Sequence, residues 1–173
     1  MTMIPKKTKI SPNKRDIRLI LDNIRSVHNV GSIFRTAETL GISTIYCLDT
    51  TPAPHDRFGR KRQDLAKVAL GAEELILWEH QLGSGESLIK KLKKERFKII
   101  ALEQASNSID YKKLKITRGL NRIAIILGNE VDGVSNKLLK LSDIIAEIPL
   151  RGKKESLNVS VAAGVFLYRL FDN

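Results

Sequence analysis

Five polar residues stand where chemistry could be done: Asn29 and Arg35 in NVGSIFR, Glu130 in LGNEVDG, and Ser156 and Asn158 in IPLRGKKESLNVSVAAGV. A helix start exposes unpaired N–H groups and a partial positive charge, so Ser156 and Asn158 could hold a ligand's polar edge there. Equally, Ser156 could cap the last helix and leave Asn158 in its first turn. Arg35 lies among Ile33, Phe34, Ala37 and Leu40. Arginine is rarely buried unpaired, so it is either a functional cation or half of an ion pair with Glu38 or a more distant acid. Gly128 and Gly133 permit tight turns close to a small molecule and carry Glu130 between them, although a plain turn before a helix reads the same way.

The elements that must position these groups alternate along the chain. Residues 17–24 (IRLILDNI) are apolar and β-branched enough for a buried strand and too short for a helix. Asn29 then serves as the N-cap of a helix whose apolar residues recur as far as Leu40 and which Gly41 ends. Further strands are expected at 44–48, 75–78, 98–103, 123–127 and 144–148, with helices at 63–70, closed by Gly71, and at 84–96, 135–141 and from Ser156 onward. Residues 49–62 have no apolar period and read as a loop, long enough to suspect a function. Strand and helix alternating throughout predict an α/β domain with a largely parallel sheet flanked by helices. All three polar groups then follow strands and abut helix starts, which places them on one carboxyl edge of one sheet, where open α/β folds bind ligands.

Composition narrows the classes. The 173 residues suit one domain, read as a basic segment at 1–16 followed by a folded domain at 17–173. No apolar run reaches the ~18 residues of a membrane span and no signal-like segment opens the chain, so a cytoplasmic protein is expected. Cys47 and the scattered His28, His55 and His80 make no metal-ligand spacing, and no metal is inferred. The net charge of +11 is clustered. Lys6, Lys7, Lys9, Lys14, Arg15 and Arg18 crowd one segment, and Arg57, Arg60, Lys61, Arg62 and Lys67 another, both suited to the phosphates of a nucleic acid. The lysines at 90–98 read instead as the solvated face of an amphipathic helix. At 5% aromatic residues, a base-stacking platform has little support.

In this order, NxxxxxR with an internal glycine, LGxExxG and IPxxGxxxSLNVSVA resemble the three motifs of the SPOUT methyltransferases of the TrmH (SpoU) family, over roughly residues 19–170. The resemblance implies an S-adenosyl-L-methionine-dependent methyltransferase acting on a ribose 2′-hydroxyl of tRNA or rRNA, with a C-terminal trefoil knot and a homodimer built on the last helix. It implies that Arg35 and Asn29 act at the ribose, with Glu130, Ser156 and Asn158 completing the catalytic set. The adenosylmethionine pocket would be lined around Leu102, Gly128, Ile148, Leu150 and Leu157. A guanidinium with a pKa above ~12 is a poor base. Either phosphate and site together make Arg35 a proton acceptor, or Arg35 fixes the phosphate and stabilises the alkoxide while the proton leaves another way. With no appended RNA-binding domain in view, the basic segment and loops are expected to grip the RNA.

Two other readings compete. GSGESL at 83–88, with Glu103 after the next strand, partly mimics a Rossmann dinucleotide site, though Leu88 replaces the third glycine. An RNA-binding protein of the same fold without chemistry is the other; it would have no evident use for all five polar residues.

Overall fold

Strong apolar runs become strands and the amphipathic stretches between them become helices. The computed structural model describes residues 2–3, 15–83, 85–115 and 120–171. The strands are β1 (Thr2–Met3), β2 (Asp16–Asp22), β3 (Thr44–Leu48), β4 (Leu77–Gln81), β5 (Lys98–Leu102), β6 (Ile109–Asp110), β7 (Arg122–Leu127) and β8 (Ile144–Glu147). The helices are α1 (Val27–Leu40), α2 (Gln63–Ala69), α3 (Ala72–Leu75), α4 (Gly85–Lys94), α5 (Asn136–Leu141) and α6 (Val159–Phe171). One sheet runs in the order β1-β4-β3-β2-β7-β5-β8-β6. Every pairing is parallel except that of β1 on β4, where Thr2 and Met3 face Glu79 and Trp78.

Helices cover both faces, which is why β2, β3 and β7 are apolar almost without interruption. On one face Leu19, Leu21, Ile45 and Ile125 pack with Ile33, Phe34 and Ala37 of α1, Leu65 of α2 and Phe166, Leu167 and Leu170 of α6. On the other, Ile20, Tyr46, Ile99 and Ile126 pack with Leu88, Ile89 and Leu92 of α4 and Leu138 of α5. The α4 lysines stay outside that core.

Several boundaries differ from the sequence expectation. The cap of α1 is Ser26, whose side chain accepts the Asn29 N–H, so Asn29 belongs to the first turn and its side chain is released for other work. The expected strand at 75–78 begins only at Leu77, because residues 72–75 form the short helix α3 after Gly71, which takes a φ of 91°. Helix α2 closes on Leu70 (φ 53°), one residue before the expected glycine. Helix α6 begins at Val159, not at Ser156, because Asn158 supplies the cap.

Candidate active site at the carboxyl edge of the sheet

The loop 128–133 leaves the carboxyl end of β7 and is built by its own residues. Asn129, only 8% exposed, accepts the N–H groups of Val131 (2.8 Å) and Asp132 (3.1 Å) through Oδ1 and donates from Nδ2 to the Asn23 carbonyl (2.6 Å). Asn129 and Gly133 also exchange both backbone hydrogen bonds at 3.0 Å, closing the loop tightly. A Cβ on Gly128 would lie 2.2 Å from the Gly133 carbonyl carbon and the Val134 nitrogen, so only glycine fits there. Glu103, at the end of β5, accepts the Val134 N–H (2.7 Å) and the Gln104 N–H (2.8 Å), and Asp22 accepts the Ser135 N–H (2.8 Å). The sequence motifs did not single out Asn129, Glu103 or Asp22 as loop supports. Asn129 had a local signal, being a turn-forming side chain beside a glycine in a short loop.

Glu130 points from this loop onto the start of α1. Its carboxylate accepts the N–H of Arg25 (3.1 Å), the N–H of Ser26 (3.1 Å) and Nδ2 of Asn29 (2.8 Å). Asn29 Oδ1 in turn accepts Nδ2 of Asn158 (3.1 Å), and Asn158 Oδ1 accepts Ser160 Oγ (2.6 Å) and the N–H groups of Ser160 (2.9 Å) and Val161 (3.4 Å). One relay of donors thus joins all three motifs: α6 to Asn158, Asn158 to Asn29, Asn29 to Glu130. Partial burial acts to raise the Glu130 carboxyl, and the Asn29 amide with the Arg25 and Ser26 N–H groups outweighs it, holding the group below the usual carboxylate range. Glu130 is therefore an anion that organises the loops, with most of its acceptor capacity already used.

The sign of the pH effect follows. An acid with a lowered folded pKa contributes stability that is complete above its unfolded value of ~4.3 and is lost as pH falls through the folded value. Chemical denaturation of wild type and Glu130→Gln is expected to show the variant less stable at neutral pH, with the gap narrowing in acid. A gap independent of pH would remove the carboxylate's charge from the account.

Arg35 and Ser156 lie outside the relay. Arg35 follows Asn29 by six residues, ~9 Å along the helix axis and ~240° around it. Its side chain is exposed, and no described acid lies within ion-pair distance of it, so the structural pair with Glu38 does not form. Ser156 is exposed and lines a cleft of about 380 Å³ between loop 128–133, the end of β5 and the segment 147–159. Leu102, Gly128, Ile148, Leu150 and Leu157 all line that same cleft. Its wall also holds Glu103, Glu130, Asp132, Glu147 and Glu155 and, among the described residues, no lysine or arginine. In a chain with 30 basic and 19 acidic residues, an acid-lined cleft selects against phosphate and for a ligand with cationic character.

Elsewhere the charge is partly spent. Lys6, Lys7, Lys9 and Lys14 lie outside the described residues. Arg15 donates to the Leu170 carbonyl at the end of α6 (2.9 Å). Arg18 is held by Asp16, Glu95 and Tyr46 and stacks 4.2 Å from the Phe97 ring centre, a structural setting at the opposite end of the strands from the cleft. Arg60 pairs with Asp56 (2.7 Å), Arg62 with Asp64 (2.8 Å), and Lys61 with Glu73 and Glu74. Arg57 has no acidic partner among the described residues. Burial pushes the Cys47 thiol up to about 12, which removes it as a nucleophile. Among the described residues no group of His, Cys, Asp and Glu could hold a metal ion.

Residues 16–168 match the SpoU rRNA Methylase family. The chain belongs to that family. An Archaeoglobus fulgidus protein named as an uncharacterized tRNA/rRNA methyltransferase is 36% identical to this SpoU chain over 88% of it and 62% of the relative. A tRNA (guanosine(18)-2′-O)-methyltransferase of Aquifex aeolicus is 26% identical over 92% of the chain and 70% of that protein. The fold matches an AdoMet-bound rRNA methyltransferase from Sinorhizobium meliloti with a TM-score of 0.78 and 24% identity, covering 92% of this chain and 57% of that one. The SpoU family thus accounts for nearly all of this chain, while the chain spans little more than three fifths of the archaeal relative's length.

Proposed function

We propose that this SpoU-family chain transfers the methyl group of S-adenosylmethionine to a ribose 2′-hydroxyl of tRNA or rRNA. One observation carries the reading: the acid-lined, apolar-walled cleft opens beside a relay that ties all three motifs together. The cofactor suits that donor set. Its sulfonium and ammonium are cationic, Glu147 and Glu155 offer carboxylates on the wall, and Leu102, Ile148, Leu150 and Leu157 offer apolar contact for adenine. When bound, it supplies an electrophilic methyl group.

The protein's own part is alignment. Gly128 and Asn129 shape the loop against which a ligand lies, and Glu130 and Asn158 hold Asn29 at the junction between cleft and α1. The guanidinium of Arg35, with no acidic partner among the described residues, is available to a substrate phosphate and to the negative charge that grows on the attacking oxygen. Holding acceptor and donor in line is where most of the acceleration would arise. The dinucleotide alternative has no such support. Gly85 faces Leu48 Cδ1, 2.6 Å from where its Cβ would be, so it is a packing glycine. A pyrophosphate would also find no cation among the described residues that line the cleft.

Calorimetry tests the reading: adenosylmethionine should bind once per subunit, indifferent to chelator, and be displaced by adenosylhomocysteine. Labelled methyl transfer to separated transfer and ribosomal RNAs, with mapping of the 2′-O-methyl, would then identify the substrate. Preferential binding of NAD would defeat the proposal, and cofactor binding without transfer to any RNA would favour a binder without chemistry.

The same reading includes a homodimer formed through α6. Its inner face is buried in the core, yet Val161, Val165 and Tyr168, spaced along the outer face, are 50%, 40% and 50% exposed. A Cβ on Gly164 would meet nothing within 4 Å, so the monomer does not itself require glycine there. Light scattering should give twice the 19.4 kDa chain mass, falling to that single mass for a Val161→Glu, Tyr168→Glu double variant. A wild-type mass of one chain at micromolar concentration would refute the dimer. A basic segment at 1–16 ahead of a catalytic domain at 17–173, a C-terminal trefoil knot and a cytoplasmic location complete the proposal. No described helix is long and apolar enough to cross a membrane.

A further inference from the structure

The loop 49–62 has more order than its composition suggests. It leaves β3 pinned to the carboxyl edge: Thr51 Oγ1 donates to the Leu21 carbonyl (2.9 Å) and accepts the Ile24 N–H (3.1 Å), and Thr50 Oγ1 donates to Asn23 Oδ1 (2.9 Å). It then folds into a hairpin. The N–H groups of Arg62, Asp56 and Gly59 donate to the carbonyls of Pro54, Arg60 and Asp56, each at 2.9 Å, and Gly59 supplies the required φ of 79°. Asp56 Oδ1 accepts the N–H groups of Phe58 (2.8 Å) and Arg60 (3.0 Å), and at the base His55 stacks on Trp78 with ring centres 5.5 Å apart.

At the tip stands Phe58, 67% exposed, with the guanidiniums of Arg57 and Arg60 at 4.8 and 5.1 Å from its ring centre. A single exposed apolar residue on a surface means little by itself. Here the ring is held at a rigid turn, so little conformational freedom remains to be lost on binding. Of the four cations in the hairpin, three are committed to acids and Arg57 has no acid among the described residues. The hairpin also runs directly into α2, which packs on α1 at Gly31, so it lies on the side of the sheet that carries Arg35. An exposed ring with two guanidiniums lying over it, in a strongly basic chain, is a surface to which an unpaired nucleobase can add by stacking on the ring or on an arginine.

We propose that Phe58 stacks an unpaired base of the RNA and that Arg57 takes the adjoining phosphate, so that the hairpin tip favours a loop or bulge over continuous duplex. The inference rests on the methyltransferase reading for the identity of its partner. It adds to it a base contact at Phe58 that the charge clusters alone did not indicate.

The test compares wild type, Phe58→Ala, Phe58→Trp and Arg57→Ala in binding to bulk transfer RNA, to fragmented ribosomal RNA and to a blunt RNA duplex, across a range of salt. On whichever of the first two the wild type binds more tightly, Phe58→Ala should lose about tenfold or more at every salt concentration with an unchanged salt slope. Phe58→Trp should keep wild-type affinity, and its added emission should be quenched by that RNA and not by the duplex. Arg57→Ala should lower the slope by about one. Unchanged melting of Phe58→Ala would show that the exposed ring is not needed for folding. Affinity of Phe58→Ala within twofold of wild type, or unquenched emission at position 58, would overturn the proposal. Adenosylmethionine binding is measured on the same proteins: if it persists while the stacking effects are absent, only this contact falls. A wild type that binds neither RNA nor adenosylmethionine overturns the methyltransferase reading along with it.

Discussion

Arg35→Lys is expected to fold like the wild type and to transfer methyl groups at less than a tenth of its rate, with Arg35→Ala lower still, by about a thousandfold or ~4 kcal/mol of transition-state stabilisation. Both halves of the expectation follow from the position of the residue. The side chain is exposed and no described acid pairs with it, so removing it leaves no buried charge behind, and stability should change by no more than ~0.5 kcal/mol. Lysine keeps the charge and loses the planar fork that grips a phosphate or ribose edge, which is why the conservative variant should also fail. Adenosylmethionine affinity should survive in both variants, because Arg35 is not among the residues lining the cleft. Retention of more than a tenth of wild-type turnover by Arg35→Lys would mean a contribution under ~1.4 kcal/mol, too small for a group central to the reaction. A large fall in melting temperature would point instead to a structural role.

Gly128→Ala is expected to do the opposite, damaging the cleft and the fold together. The added methyl would sit 2.2 Å from two backbone atoms of the returning loop, and neither can swing aside as the end of a flexible side chain could. Relief requires breaking the paired hydrogen bonds between Asn129 and Gly133, which also position Glu130 and thereby Asn29. A loss of ~3 kcal/mol in stability and of measurable cofactor binding should follow. Gly152→Ala is the control, since a Cβ there meets nothing within 4 Å; it should be neutral in denaturation and in calorimetry. Cofactor binding by Gly128→Ala at wild-type affinity would show that loop 128–133 does not form the pocket wall.

The strands show what a sequence exposes and what it hides. The strand expected at 44–48 coincides with β3, and those expected at 17–24, 98–103 and 123–127 overlap β2, β5 and β7, because a strand buried on both faces must be apolar at nearly every position. The strands towards the two ends of the sheet were harder. In β4 only Trp78 is fully buried and Glu79, His80 and Gln81 are polar, so it shows no clean apolar pattern, and β6 is two residues long. Helix starts were misplaced where two capping candidates lay close together. Ser26 and Asn158 cap α1 and α6, where the sequence points to Asn29 and offers Ser156 as a cap or a ligand contact, since local spacing does not reveal which side chain turns back on the helix.

Sequence by itself determined the alternation of strands and helices, the glycine-flanked loop and the three polar motifs, because each depends on local spacing and on the freedom or apolarity of single residues. The tertiary structure decided how those motifs serve one another. Residues 29, 130 and 158 are far apart along the chain, and only the strand order, with β7 beside β2 and α6 returning to α1, brings their side chains into one relay. It also decided which charges are free. A run of cations reads alike whether its members face solvent or an acid, and here the acids for Lys61 come from α3, in a separate helix, while Arg57 and Phe58 are left at a hairpin tip. Such pairings are set by distances across the fold, which the linear order of residues does not contain.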